Sequence, residues 1–173
     1  VSASRWGRTE TWRPDGQDFH FMRSGCHSTY TAASVLRDLS DVLALVNPDT
    51  VYVTAPGDCH GDHDALGRFT TQAVAAMENP PALYYYLIHA DRTDIWPERD
   101  AERFRLPPMA ADHPLLRCAA ERRPLPDGFP PAEKYSLIQS YTSQDPAAYN
   151  GYLLAFAKND ELVFRVERLP SRT

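Results

Sequence analysis

The residues of this chain best suited to do chemistry lie between Asp58 and His89. His60 and His63 stand three apart in Asp58-Cys59-His60-Gly61-Asp62-His63-Asp64, and His89 follows the apolar run Leu-Tyr-Tyr-Tyr-Leu-Ile at 83–88. Two imidazoles at a helix start can divide labour. One binds a metal through a ring nitrogen, while the other, kept basic and oriented by a carboxylate, polarises or protonates a reacting oxygen. Free N–H groups and the positive end of the helix dipole favour carboxylates and developing negative charge at the same place. Spacing alone fits a second reading equally well, because two histidines three apart recur by chance. In that reading both are solvated, and Asp62 and Asp64 simply complement the dipole.

These side chains need elements to hold them. Residues 50–54 (TVYVT) form a short β-branched run that leads into Pro56-Gly57, as a buried strand leads into a site loop. Before it, Val35, Leu36, Leu39, Val42, Leu43 and Val46 recur at helical spacing, which predicts a helix over 29–46 capped by Ser28 or Thr29. After it, Leu66, Phe69, Ala73, Val74 and Met77 predict a helix over 62–77, closed by Asn79-Pro80-Pro81. Residues 83–88 read as the second strand. The order helix, strand, helix, strand points to an α/β fold with a mostly parallel sheet, in which ligands sit at the carboxyl ends of the strands. That edge carries both the Asp58 to His63 loop and His89, so three histidines from separate places converge there in this reading.

The remaining segments say less. Residues 1–27 read as irregular, with a turn at Pro14-Asp15-Gly16 and room for one hairpin. Residues 92–131 read as a long surface excursion with a short edge strand near Phe104, and Arg92, Arg99, Arg103 and Arg105 as a solvated face. Helices are expected over 133–141 and 148–157, and 162–169 as an edge strand or docking tail. Asp18, His20, Cys26 and His27 share one polar stretch but have no ordered ligand spacing. Trp6, Trp12, Tyr84 and Tyr86 could stack on sugar rings, although alternation puts Tyr84 and Tyr86 on one strand face, where packing is the commoner use.

Composition narrows the field. At 173 residues one domain is the default. A net charge of −5, with no basic run beyond Arg122-Arg123, gives no footprint for a nucleic-acid backbone. No apolar run reaches the roughly 20 residues of a membrane span, so a soluble chain is expected, with the cytoplasm slightly favoured and the compartment otherwise open. Cys26, Cys59 and Cys118 are odd in number and lack CxxC spacing, which indicates neither a disulfide framework nor a cysteine zinc cage.

The segment from Pro48 through Asp58-Cys59-His60-Gly61-Asp62-His63 to Ala65-Leu66-Gly67 resembles the second motif of the LmbE-like (PIG-L) de-N-acetylases, a D-x-H-P-D-H type sequence after a strand. Lys134, Ser140-Tyr141-Thr142-Ser143-Gln144, Gly151-Tyr152-Leu153, Phe156-Ala157 and Glu161 are similar to that family's C-terminal pattern. The resemblance spans about residues 29–164. It implies zinc-dependent removal of an N-acetyl group from an amino sugar or sugar conjugate, on a Rossmann-like three-layer fold. It further implies His63 as a zinc ligand, His60 as the histidine that stabilises the oxyanion or assists the leaving amine, and Asp62 as the carboxylate that orients it. Asp58 and His89 are read as supporting and substrate-pocket residues.

Two departures matter. The motif's proline is Gly61 here, and the family's first motif, an H-P-D-D-E type sequence carrying the other zinc ligands and the general base, is absent. Asp112-His113-Pro114 has its letters in the wrong order and reads as a surface turn. Because a catalytic zinc takes about three protein ligands, and because the chain starts at Val1, the expectation is a single de-N-acetylase-like domain lacking its first strand and first metal motif. An N-terminal segment or partner chain would then complete the site. The alternative is a non-catalytic carbohydrate- or partner-binding module that kept the fold without that motif.

Overall fold

The computed structural model describes residues 3–13, 18–91, 95–142 and 151–171. The chain divides into two compact units, Val1–Val51 with Arg68–Ala82 and Leu169–Thr173, and Tyr52–Gly67 with Leu83–Arg168.

In the first unit a short helix, α1 (Phe19–Ser24), occupies a stretch that the sequence suggested was irregular. Six residues are too few to show a hydrophobic period, and the local signals are only its caps. The Asp18 carboxylate accepts the Phe21 N–H, and Gly25, left-handed at φ 75°, donates its own N–H to Phe21 O. Among the described residues, an antiparallel bridge pairs Glu10 with Thr29. That bridge holds Thr29 in extended backbone, so α2 (Ala32–Val46) starts later than expected, with Thr31 as its cap and Asn47 ending it in the left-handed region. The predicted turn at Pro14-Asp15-Gly16 lies outside the described residues.

The two strands and the helix around the histidine loop agree with expectation to within two residues: β1 (Thr50–Thr54), α3 (Gly61–Ala76) and β2 (Ala82–Tyr86). Ala82 donates to Asp49 O and Ala55 donates to Tyr86 O, so β1 and β2 advance in the same direction. α3 lies close under the end of β1 because Gly67 has no side chain. A Cβ there would stand 2.4 Å from Thr54 O and 2.8 Å from Pro56 N.

The rest of the sheet corrects the prediction of a mostly parallel arrangement. Strand order is β1-β2-β4-β3, and β4 (Asp160–Val166) pairs antiparallel with both β2 and β3 (Cys118–Pro124). The fold is α/β with a mixed, mainly antiparallel sheet. The segment read as an edge strand or tail is therefore an inner strand. Leu162, Val163 and Phe164 are buried in succession, as a strand covered on both faces requires, and the flanking charges hid this.

The edge on that side is β3, inside the expected surface excursion. Glu121, Arg122, Arg123 and Pro124 blunt it against further pairing. No strand forms at Phe104; it packs with Trp96 and Phe156 in a buried aromatic cluster, while Arg99, Arg103 and Arg105 are exposed as expected and Arg92 lies outside the described residues. In β2 the buried tyrosine is Tyr85, and Tyr84 instead stacks on Tyr52 under the Arg123 guanidinium. The helix expected over 133–141 is α4 (Pro131–Gln139). Of that expected over 148–157, the described part holds a 3-10 turn at Leu153–Phe156.

Candidate functional site

The loop after β1 is built around Asp58, whose side chain is fully covered. One carboxylate oxygen accepts the backbone N–H of His60 at 2.9 Å, and the other accepts those of Ile88 at 3.0 Å and His89 at 3.1 Å. Cys59 donates its backbone N–H to His89 O. A single buried carboxylate thus ties the loop after β1 to the chain leaving β2 through three backbone donors.

The same carboxylate orients an imidazole. His63 Nδ1 lies 3.2 Å from Asp58 Oδ1, and an ionised carboxylate only accepts, so the proton belongs on Nδ1 and Nε2 keeps a lone pair. Thr54 Oγ1 donates to His63 O and Asp64 accepts the Gly57 N–H, which fixes the first turn of α3 on the strand end. Imidazole held by carboxylate on one nitrogen and free on the other is the arrangement that prepares a metal ligand or a proton acceptor.

The three histidines come together as expected. Ring centroids are 4.6 Å apart for His60 and His63, 5.4 Å for His63 and His89, and 5.7 Å for His60 and His89. His60 is exposed and His63 and His89 are half-buried, so the cluster faces solvent on one side. Among the described residues, no group of three His, Cys, Asp or Glu side chains has its donors gathered to hold a metal ion. Within the cluster, the Asp58 contact at Nδ1 leaves His63 Nε2 as the open ring nitrogen.

The side-chain carboxylate on His63 is Asp58, and no carboxylate contact to the His60 ring is seen among the described residues. Asp62 is exposed in the first turn of α3, where it complements the dipole, and Asp58 meets one imidazole, that of His63, and the backbone N–H of His60 and His89. The alternation of residue types does not separate the two aspartates. Only the geometry of the loop, which turns Asp58 inward beneath β2, does so.

Two further residues belong to the site. Tyr152 stacks on His89 at 5.4 Å with planes 18° apart, and its hydroxyl donates to Ile88 O. Tyr152 is buried, and its place in the C-terminal pattern was its only signal in the sequence. His113, read as part of a surface turn, is half-buried. Its Nδ1 accepts the Leu115 N–H at the start of a 3-10 helix, and its Nε2 donates to Gly57 O at 3.2 Å. Gly57, at φ 92°, leaves room for that contact; a Cβ would stand 2.8 Å from His113 Nε2. Lys134 and Glu161, both in the C-terminal pattern, form an ion pair at 2.6 Å. Tyr141 is exposed, and Ser143 and Gln144 lie outside the described residues.

No family model, curated protein or solved structure matches the chain. No helix among the described residues is long and apolar enough to cross a membrane.

Proposed function

We propose that this chain carries the histidine half of a metal-dependent hydrolase site that removes the acetyl group from an N-acetylated amino sugar or sugar conjugate. The observation that carries the reading is the buried Asp58 carboxylate, which holds His63 by Nδ1 and anchors the backbone of His60 and His89. In the same reading the α/β domain is a three-layer Rossmann-like fold, supported by the parallel β1-α3-β2 crossover with its loop at the strand's carboxyl end.

His63 Nε2 is the zinc-ligand position, and the remaining ligands come from an N-terminal segment or a partner chain. Zinc, when bound, supplies a Lewis acid and lowers the pKa of its water to about 7. His60, exposed beside His63, meets the charge that develops on the amide oxygen and gives its proton to the departing amine as the C–N bond breaks. His89, stacked on Tyr152, forms the wall against which the acetyl-bearing group rests. Asp62 tunes the field at the helix start.

The test pairs zinc analysis with turnover of an N-acetylglucosamine conjugate by the native protein. His63→Ala is expected to abolish zinc binding and activity, whereas His60→Ala keeps zinc and loses about 100-fold or more in turnover. Full activity in both variants sinks the assignment. Sugar binding that persists in a chelator, with no hydrolysis, identifies a binding module instead.

A further inference from the structure

The first unit contains a second histidine–carboxylate pair, and it points at a thiol. His20 is 6 % exposed, and its Nδ1 lies 2.7 Å from Asp38 Oδ1 on α2. Neither atom has a well-directed hydrogen bond, so the buried imidazole and the carboxylate meet as an ion-pair contact, with Arg37 Nε 3.6 Å from the same Asp38 oxygen. The other ring nitrogen, Nε2, lies 3.9 Å from Cys26 Sγ and 3.2 Å from an Arg37 guanidinium nitrogen, which donates to it. Cys26 is exposed and free.

The local chain explains the juxtaposition. Gly25, left-handed at the end of α1, turns the chain back so that Cys26 returns over His20, six residues earlier. Ser24 Oγ donates to His20 O and lies 3.3 Å from Cys26 Sγ, holding the thiol over the helix end. The charged groups around the pair are Asp38 and Arg37 on α2, Arg23 with Asp41 at 3.9 Å, and the Asp18–His27 pair. The Arg37 head is half exposed and can yield Nε2 to the thiol.

We propose that Cys26 is a nucleophilic thiol, activated by His20 and Asp38, that exchanges with small-molecule disulfides to form a mixed disulfide. The Cys26 S–H proton passes to His20 Nε2, and the imidazolium is stabilised by Asp38. The thiolate attacks one sulfur of the disulfide; a new S–S bond forms, the old one breaks, and the departing thiolate takes the proton from His20. No other oxidant is consumed. A thiolate paired with an imidazolium reacts where a thiol does not. Cys118 provides the internal contrast, since burial followed by the neighbouring Glu167 charge pushes its thiol pKa up.

The experiment treats the full chain with glutathione disulfide near neutral pH and maps the adducts by mass spectrometry over time. Cys26 is expected to react about tenfold or more faster than the same residue in urea, and Cys118 slowest. In His20→Asn and in Asp38→Asn the Cys26 rate constant should fall about tenfold, and its rise with pH should move to higher pH, a shift that mere loss of packing does not produce. If His20→Asn fails to fold by circular dichroism, Asp38→Asn, whose side chain is partly exposed, carries the test. A Cys26 rate equal to that in urea, or unchanged rate and pH profile in the folded variants, overturns the proposal.

Discussion

Two aspartate–imidazole pairs sit in the two units, and they are held in opposite ways. Asp58 is fixed by three backbone N–H groups and offers what remains to His63, whereas Asp38 sits on a helix and meets His20 and Arg37 through side chains alone. A carboxylate caged by backbone cannot turn without breaking the loops it joins, so the ring it orients is preset. A carboxylate held by side chains can follow its partner. The first design suits a ligand position that must not move, and the second suits a proton acceptor that changes charge state.

Substitution of the two carboxylates should separate them most widely. Asp58→Ala removes the acceptor of three backbone N–H groups and of the His63 ring, and is expected to cost about 3 kcal/mol in urea unfolding. Asp38→Ala, which leaves one nitrogen of the buried His20 ring without its partner, should cost less, about 1–2 kcal/mol. Equal losses would erase the distinction.

The scaffold beneath the first pair gives the next largest effect. Gly67→Ala drives a methyl into the Thr54 carbonyl and the Pro56 ring, and should cost about 1–3 kcal/mol while disturbing the His63 resonances. Unchanged stability there would mean that the helix and strand end are loosely joined.

A smaller, pH-dependent effect is expected at Asp18. Burial pushes its pKa up, but the Phe21 N–H, His27 and Thr11 together outweigh this and leave it below the ordinary carboxylate value. A carboxyl depressed in the folded state contributes stability above its unfolded pKa and loses it as pH falls through the folded one. Asp18→Asn should therefore unfold at lower urea than the parent at neutral pH and match it near about pH 2. A gap that persists in acid would assign the effect to packing.

The smallest signal is a tautomer. Nitrogen chemical shifts at neutral pH should place the proton on Nδ1 of His63, and Asp58→Asn should mix the two forms.

Much of the site was legible because its residues are close in the chain. β1, the loop and α3 carry β-branched, Pro/Gly and helical-period signals in sequence, and His89 was placed by the end of one apolar run. Asp58 and Asp62 were not distinguishable, since both flank the histidines and only the path of the loop decides which turns inward. His113 and Tyr152 reach the site from far along the chain; nothing local marks His113, and Tyr152 is marked only by its place in the C-terminal pattern. The sheet was misread for a related reason. Strand direction in β3 and β4 depends on pairing across tens of residues, and β4 hides its buried run among charges that the flanking turns expose.

The position of β4 has a consequence for biosynthesis. β2 and β3 touch it and not each other, so the strand made last is the one that joins them. Until Val166 leaves the ribosome, β2 and β3 wait with open edges, exposed to pairing with other chains. Closure then requires contacts across some eighty residues, a long-range step that local helices cannot hasten. The chain's yield in a cell should respond to translation speed and to chaperones more than its modest length suggests.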